Sequence, residues 1–279
     1  MKSFLRQIKK VPVLYTLLVR IKRSYQQFVG KRHRIQNIET ALGYKFVTLG
    51  SENCGWTFVD DPTLKGCVIL SAGLGEDGSF DTEFASMYGA TVHIVDPTPR
   101  AIAHFSEITS RLGSSSEAEY SRTGTQRVES YELRNVQDGQ IRLHKVALWS
   151  ENKKVRFFLP KNTSHVSHSI INFQNSYSPD TAYIEVDAIT IRELIDHIGI
   201  APETIAMVKL DIEGAEIEVI ETMISDGFLP YQLLVEFDEF NAPTRRGVAR
   251  IDRVHSLLVD QGYKMIKTDG QADFLYVRD

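Results

Sequence analysis

Four carboxylates, Asp211, Glu213, Glu236 and Asp238, stand at or just past the ends of two apolar runs that read as strands, Met207–Asp211 and Gln232–Glu236. Carboxylates placed there can take a proton from a bound hydroxyl, or gather a divalent cation of the Mg²⁺ type that acidifies it. Without a cation they repel one another and their pKa values rise. Strand alternation is expected to turn some of them away from a common site. A second source of proton-transfer chemistry is the segment Ser164-His-Val-Ser-His-Ser169, which offers His165 and His168, histidine being the side chain suited to proton transfer near neutral pH. Asp211, Glu213, Glu236 and His168 are the catalytic candidates. No set of His and Cys at metal-ligand spacing accompanies them.

A glycine-rich turn supplies the binding chemistry. Ser71-Ala-Gly-Leu-Gly-Glu-Asp-Gly78 follows the apolar run Cys67–Ser71, and Asp96 closes the next run, Thr91–Asp96, about 20 residues on. Glycines there let the backbone approach a ligand, and the carboxylate after the second strand suits two ribose hydroxyls. The pattern serves NAD and S-adenosylmethionine alike, so an NAD-dependent oxidoreductase is a competing reading. Charge separates the two. Glu76, Asp77, Asp81 and Glu83 crowd the turn, where a dinucleotide would place its pyrophosphate, at a cost on the order of 1 kcal/mol for each nearby carboxylate. S-adenosylmethionine brings an ammonium and a sulfonium instead.

The run Lys209-Leu-Asp211-Ile-Glu213-Gly214-Ala-Glu216, followed by Leu234-Val-Glu236, resembles the hallmark Lys-x-Asp-x-Glu-Gly-x-Glu of the FkbM-type methyltransferases. Val92-His-Ile-Val-Asp-Pro97 and Lys145-Val-Ala-Leu148 extend the resemblance over roughly residues 66–240. It implies an α/β, Rossmann-like class I methyltransferase fold and methyl transfer from S-adenosylmethionine, usually to a hydroxyl oxygen of a sugar, glycan or other natural product. By position it implies Ala72, Gly73 and Gly75 at the methionine moiety, Asp96 with Pro97 at the ribose, and Ala147 with Leu148 at the adenine edge. One departure stands out: Ser71 occupies the position where many such enzymes carry an acid that holds the cofactor's amino end. Asp77 or Asp81 is the available substitute, and a catalytically inert cofactor-binding module is the alternative that this departure encourages.

These residues need an α/β scaffold to position them. Strands are expected at Cys67–Ser71, Thr91–Asp96, Ile141–Leu148, Met207–Asp211 and Gln232–Glu236, with a closing antiparallel pair at Tyr263–Lys267 and Asp273–Val277. Thr190-Ile-Arg-Glu193 reads as a capping box opening a helix with Ile191, Leu194, Ile195 and Ile198 on one face. Residues 111–140 lack a period and read as a surface insertion. Glu216, Glu218 and Glu221 read as solvated charges near a helix start.

Charge divides the chain in two. Residues 1–38 hold ten of the 32 Lys and Arg and no acid, leaving 22 bases against 36 acids in the remainder, a net of −14. Such a body is expected to avoid nucleic acid. The division gives a basic helical arm, 1–38, and a methyltransferase domain, 39–279. The arm's apolar run, Val11–Val19, is too short to span a bilayer, which takes roughly 20 residues. Peripheral contact with a membrane or self-association is its expected role. Cys54 and Cys67 have no CxxC spacing and fit reduced thiols in a cytoplasmic protein.

Overall fold

The computed structural model describes residues 43–160, 168–172, 178–241 and 243–278. The basic arm and His165 lie outside the described residues. The chain runs through β1 (Phe46–Leu49), β2 (Trp56–Val59), β3 (Val68–Ala72), α1 (Ser79–Tyr88), β4 (Thr91–Val95), α2 (Pro99–Ser110), β5 (Ile141–His144), β6 (Ala147–Leu148), β7 (Lys153–Phe158) and β8 (Tyr183–Ile189). It continues through α3 (Ile191–Ile198), β9 (Ile205–Leu210), α4 (Glu216–Ser225), β10 (Gln232–Glu236), α5 (Arg245–Asp260), β11 (Tyr263–Thr268) and β12 (Asp273–Arg278).

Seven strands form the central sheet in the order β11-β12-β10-β9-β3-β4-β5. From β10 to β5 neighbouring strands are parallel, and β12 runs antiparallel to both β10 and β11. The expected closing pair is present, with β12 alone against the common direction. This is the Rossmann-like class I arrangement. Strand order reverses between β3 and β9, and a crevice opens beyond their carboxyl ends.

Alternation along the strands sorts two cores. Leu70, Val208, Leu210, Leu233 and Val235 face α3, α4 and α5. Ile69, Val92, Ile94, Met207 and Leu234 face α1, α2 and the β1–β2 hairpin. Because the period is two, Ser71, Lys209 and Glu236 fall on the hairpin side with Ile69, Met207 and Leu234. The hairpin is held to the sheet by the side chain of buried Gln232, which accepts from Val59 N at 2.9 Å and donates to Val59 O at 2.9 Å. Its other end is tied to α1, where Gly50 N donates to Glu83 (2.7 Å) and Ser51 N to the Ser79 hydroxyl (2.7 Å).

Three expectations need correction. The run Ile141–Leu148 is two strands: β5 ends the central sheet at His144, whereas β6 pairs with β8 in a separate sheet ordered β6-β8-β7. Apolar periodicity is the same whether or not a strand changes partners, so it could not show the break. Residues 111–140 are no surface insertion, because Tyr131, Leu133 and Val136 are buried in the core beside α1 and α2. The Tyr131 hydroxyl accepts from Gly78 N (3.0 Å) and meets His104 Nε2 (2.7 Å). Finally, Glu216 is buried rather than solvated. Thr190 does cap α3, accepting from Glu193 N at 3.1 Å, but its own N–H donates to Asn152 instead of Glu193. Among the described residues no helix is long and apolar enough to cross a membrane.

Candidate active site

A cavity of about 470 Å³ opens at the carboxyl ends of β3, β4, β9 and β10. Of the residues singled out by sequence, Gly73, Gly75, Asp77, Asp96, Pro97, Ala147, Leu148, His168, Asp211, Glu213 and Glu236 line it. Ser71 and Ala72 lie beneath it in β3, and Asp238 is not among the lining residues.

The glycine turn is built by close contact with the hallmark segment. Gly73 has φ +91°, a region that side chains other than glycine's rarely tolerate. Lys209, one register step across from Ser71 in β9, is buried and donates to Gly73 O at 2.7 Å. Asp96 braces the far side of the turn. One oxygen accepts from Leu74 N (3.1 Å) and Gly75 N (3.0 Å), and the other from Thr98 N (2.8 Å) and Thr98 Oγ1 (2.7 Å). Four donors occupy a carboxylate's four lone-pair positions. Asp77 is likewise engaged, accepting from Ser51 Oγ, Ser79 N and Gln126 Nε2. Glu76 pairs with Arg100 and carries the bridge to Thr125.

Past β9 the chain makes a tight loop. Glu216 accepts from Ile212 N (2.8 Å) and Gly214 N (3.0 Å), which folds the loop back on the start of α4. Burial raises the Glu216 carboxyl well above the ordinary carboxylate range. Glu213 has φ +57°, and its carbonyl accepts from the Ser169 hydroxyl at 2.6 Å. This left-handed residue costs about 1 kcal/mol and turns the Glu213 position to the cavity wall.

Three carboxylates meet at the cavity floor. Glu236 and Asp273 are register partners in the antiparallel pair β10–β12, and Asp211 directly follows the strand alongside. Alternation keeps these three on one side of the sheet, while Asp238, one of the four carboxylates expected to be divided between the site and its surroundings, is not among the lining residues. Burial pushes Glu236 up to about 9, with the Asp211 charge and a hydrogen bond to it adding to the rise. Burial also pushes Asp273 up to about 7. Lys209 Nζ lies 3.8 Å from Asp211 and 5.5 Å from the ring centroid of Trp56, which comes from the hairpin. Among the described residues no three His, Cys, Asp or Glu side chains are arranged to hold a metal ion. The Mg²⁺ expectation gains no support from this arrangement.

Sequence reasoning missed Trp56, Phe157, Thr123–Thr125 and Asp273 as wall residues. Asp273 alone had a legible signal, since it opens the strand expected at Asp273–Val277 and an antiparallel partner must begin where β10 ends.

Residues 63–265 match a family model described as the methyltransferase FkbM domain. The chain belongs to the FkbM methyltransferase family. Membership makes this FkbM enzyme an S-adenosylmethionine-dependent methyltransferase, in line with the acid-rich turn and against the NAD reading. Solved structures with a similar fold include a fibrillarin/Nop5p complex, 9% identical, covering 76% of this chain and 72% of that one at a TM-score of 0.38. A fibrillarin pre-rRNA processing protein of Methanococcus jannaschii is 9% identical, with coverages of 88% and 86% and a TM-score of 0.39. Monomeric WbdD is 14% identical at a TM-score of 0.37, and this FkbM enzyme's 76% coverage spans only 36% of that chain. Comparison with curated protein sequences found no match.

The cavity fits the cofactor that the family implies. Asp81 lines it, is 1% exposed, and has an oxygen, Oδ1, with no hydrogen-bond partner. A buried carboxylate oxygen lacking a donor calls for a cationic or N–H group.

Proposed function

We propose that this methyltransferase methylates a hydroxyl oxygen of a sugar, a glycan or another polyhydroxylated natural product. The observation that carries the reading is the row of Asp211, Glu236 and Asp273 across three adjacent strand ends on the cavity floor. When bound, S-adenosylmethionine supplies an electrophilic methyl group that needs only an aligned nucleophile.

Asp211 is the general base and receives the acceptor hydroxyl's proton. Glu236, which holds its own proton up to about pH 9, donates to a neighbouring oxygen of the acceptor. Two adjacent carboxyls in different protonation states suit a diol, one accepting a hydrogen bond and the other giving one. His168 and Phe157 bound the acceptor beside Glu213. On the cofactor side, Gly73 and Gly75 present backbone to the methionine moiety, with Ala72 beneath them. Asp96 and Pro97 bound the ribose, Glu76 being the other carboxylate on that wall, while Ala147 and Leu148 face the adenine.

The test is incubation with methyl-labelled S-adenosylmethionine and a panel of polyols, glycans, amines and thiols, with product linkage read by mass spectrometry. Methyl ethers that disappear in Asp211→Asn support the reading. Transfer to amines or thiols alone overturns it, as does cofactor binding without turnover on any hydroxylated acceptor.

A further inference from the structure

Ser71 and Asp81 together point to a relocated anchor in the cofactor pocket. Ser71, the last residue but one of β3, lies on the hairpin side of the sheet with its hydroxyl fully buried, its polar neighbour being the Asp81 carboxyl. Asp81 lies opposite in the first turn of α1 and is equally buried, with Oδ1 unpartnered. Both sit next to Lys209: Ser71 is its register partner in β3, and the ammonium's charge acts on Asp81. A carboxylate in that position is an expensive group to bury unless something answers it. The neighbouring Lys209 hydrogens go to backbone, at Gly73 O (2.7 Å) and Ala72 O (3.4 Å), so Lys209 does not supply the missing donor to Asp81 Oδ1.

We propose that Asp81, on the helix, performs the task that Ser71 is too short and uncharged to perform on the strand: it binds the ammonium of the cofactor's amino-acid end. Lys209, of opposite sign and next to it, makes the pocket complementary to a zwitterion. The strand-end serine is the complement of this arrangement. An acid at position 71 would place a second buried carboxylate against Asp81, and like charges at that depth disfavour each other. Asp77 is the less open of the two acids, because both of its oxygens already accept, from Ser51, Ser79 and Gln126.

The proposal rests on the cofactor reading, and titration calorimetry separates the two. S-adenosylhomocysteine carries the amino-acid end and no sulfonium, whereas 5′-methylthioadenosine lacks that end altogether. In Asp81→Asn, affinity for S-adenosylhomocysteine should fall roughly tenfold to a hundredfold, the affinity equivalent of one charge-assisted hydrogen bond. Affinity for methylthioadenosine should hold. Moving the acid back, in the double variant Ser71→Asp with Asp81→Asn, should restore most of the loss. Asp81→Ser provides a second neutral replacement should the Asn variant fold poorly. Unchanged S-adenosylhomocysteine binding in a folded Asp81 variant overturns the proposal, and so does an equal loss for both ligands. If the unmodified protein binds neither ligand, the cofactor reading itself falls.

Discussion

A Cβ built on Gly73 would lie 1.9 Å from the carbonyl oxygen of Asp211. The turn that faces the cofactor and the hallmark loop that faces the acceptor are therefore in backbone contact, closed by a hydrogen bond from Asp211 N to Ala72 O at 3.1 Å. Gly73→Ala must push two strand ends apart and also adopt a positive φ. Overpacking and strain together should cost about 3 kcal/mol or more. The midpoint of denaturant unfolding measures this, and a loss below about 1 kcal/mol would show that the strand ends yield freely.

Glu236 makes stability fall as pH rises. Its folded pKa of about 9 lies above the unfolded carboxyl's. Between the two values the native state holds a proton that the unfolded chain has released, so alkali favours unfolding. Glu236→Gln removes that titration. Its melting temperature relative to the unmodified enzyme should climb steadily from about pH 5 to pH 9. A difference that stays flat across this range would mean that Glu236 is ionised in the folded protein.

Glu216 supports its neighbours rather than the chemistry. Glu216→Ala leaves the amides of Ile212 and Gly214 without an acceptor inside the fold, at about 2–4 kcal/mol for the pair. Glu216→Gln keeps one acceptor oxygen and should lose less than half as much. Thermal unfolding of both variants checks the order, and equal losses would argue that packing rather than hydrogen bonding sets the cost.

Tyr131→Phe removes one hydroxyl and strands two buried partners, Gly78 N and His104 Nε2. The expected destabilisation is about 1–3 kcal/mol. Hydrogen exchange at Gly78 should accelerate in the variant. Exchange as slow as in the unmodified protein would assign that amide another acceptor.

The parts of this enzyme that follow a period or a spacing were readable from the chain alone. The strand Gln232–Glu236 is observed with the expected ends, and Thr190 caps α3 as its position before Glu193 suggested. Gly73, Asp96 and Asp211 converge because each ends a parallel strand, and parallel strands end together. What stayed hidden depends on contacts between segments far apart in sequence. Nothing local distinguishes Asp96 as a ribose ligand from Asp96 as a brace for Leu74, Gly75 and Thr98. Nor does composition show that Tyr131 leaves a polar stretch to enter the core, or that Gln232 uses its side chain to extend a sheet onto Val59. Strands β7 and β8 escaped notice because their exposed faces carry Lys154 against Asp187 and Arg156 against Glu185, a cross-strand pattern invisible in one dimension.

The β1–β2 hairpin precedes the segment matched by the family, yet Asn53, Cys54, Gly55 and Trp56 close one end of the cavity. It is fastened both by hydrogen bonds, between the Gln232 amide and Val59 and from Gly50 and Ser51 to α1, and by Leu49, Trp56, Phe58 and Val59, which are buried in the core with Phe80 and Phe84. A wall attached in this way is continuous with the core, so a change in the hairpin that reshapes the cavity is also felt by α1 and the sheet.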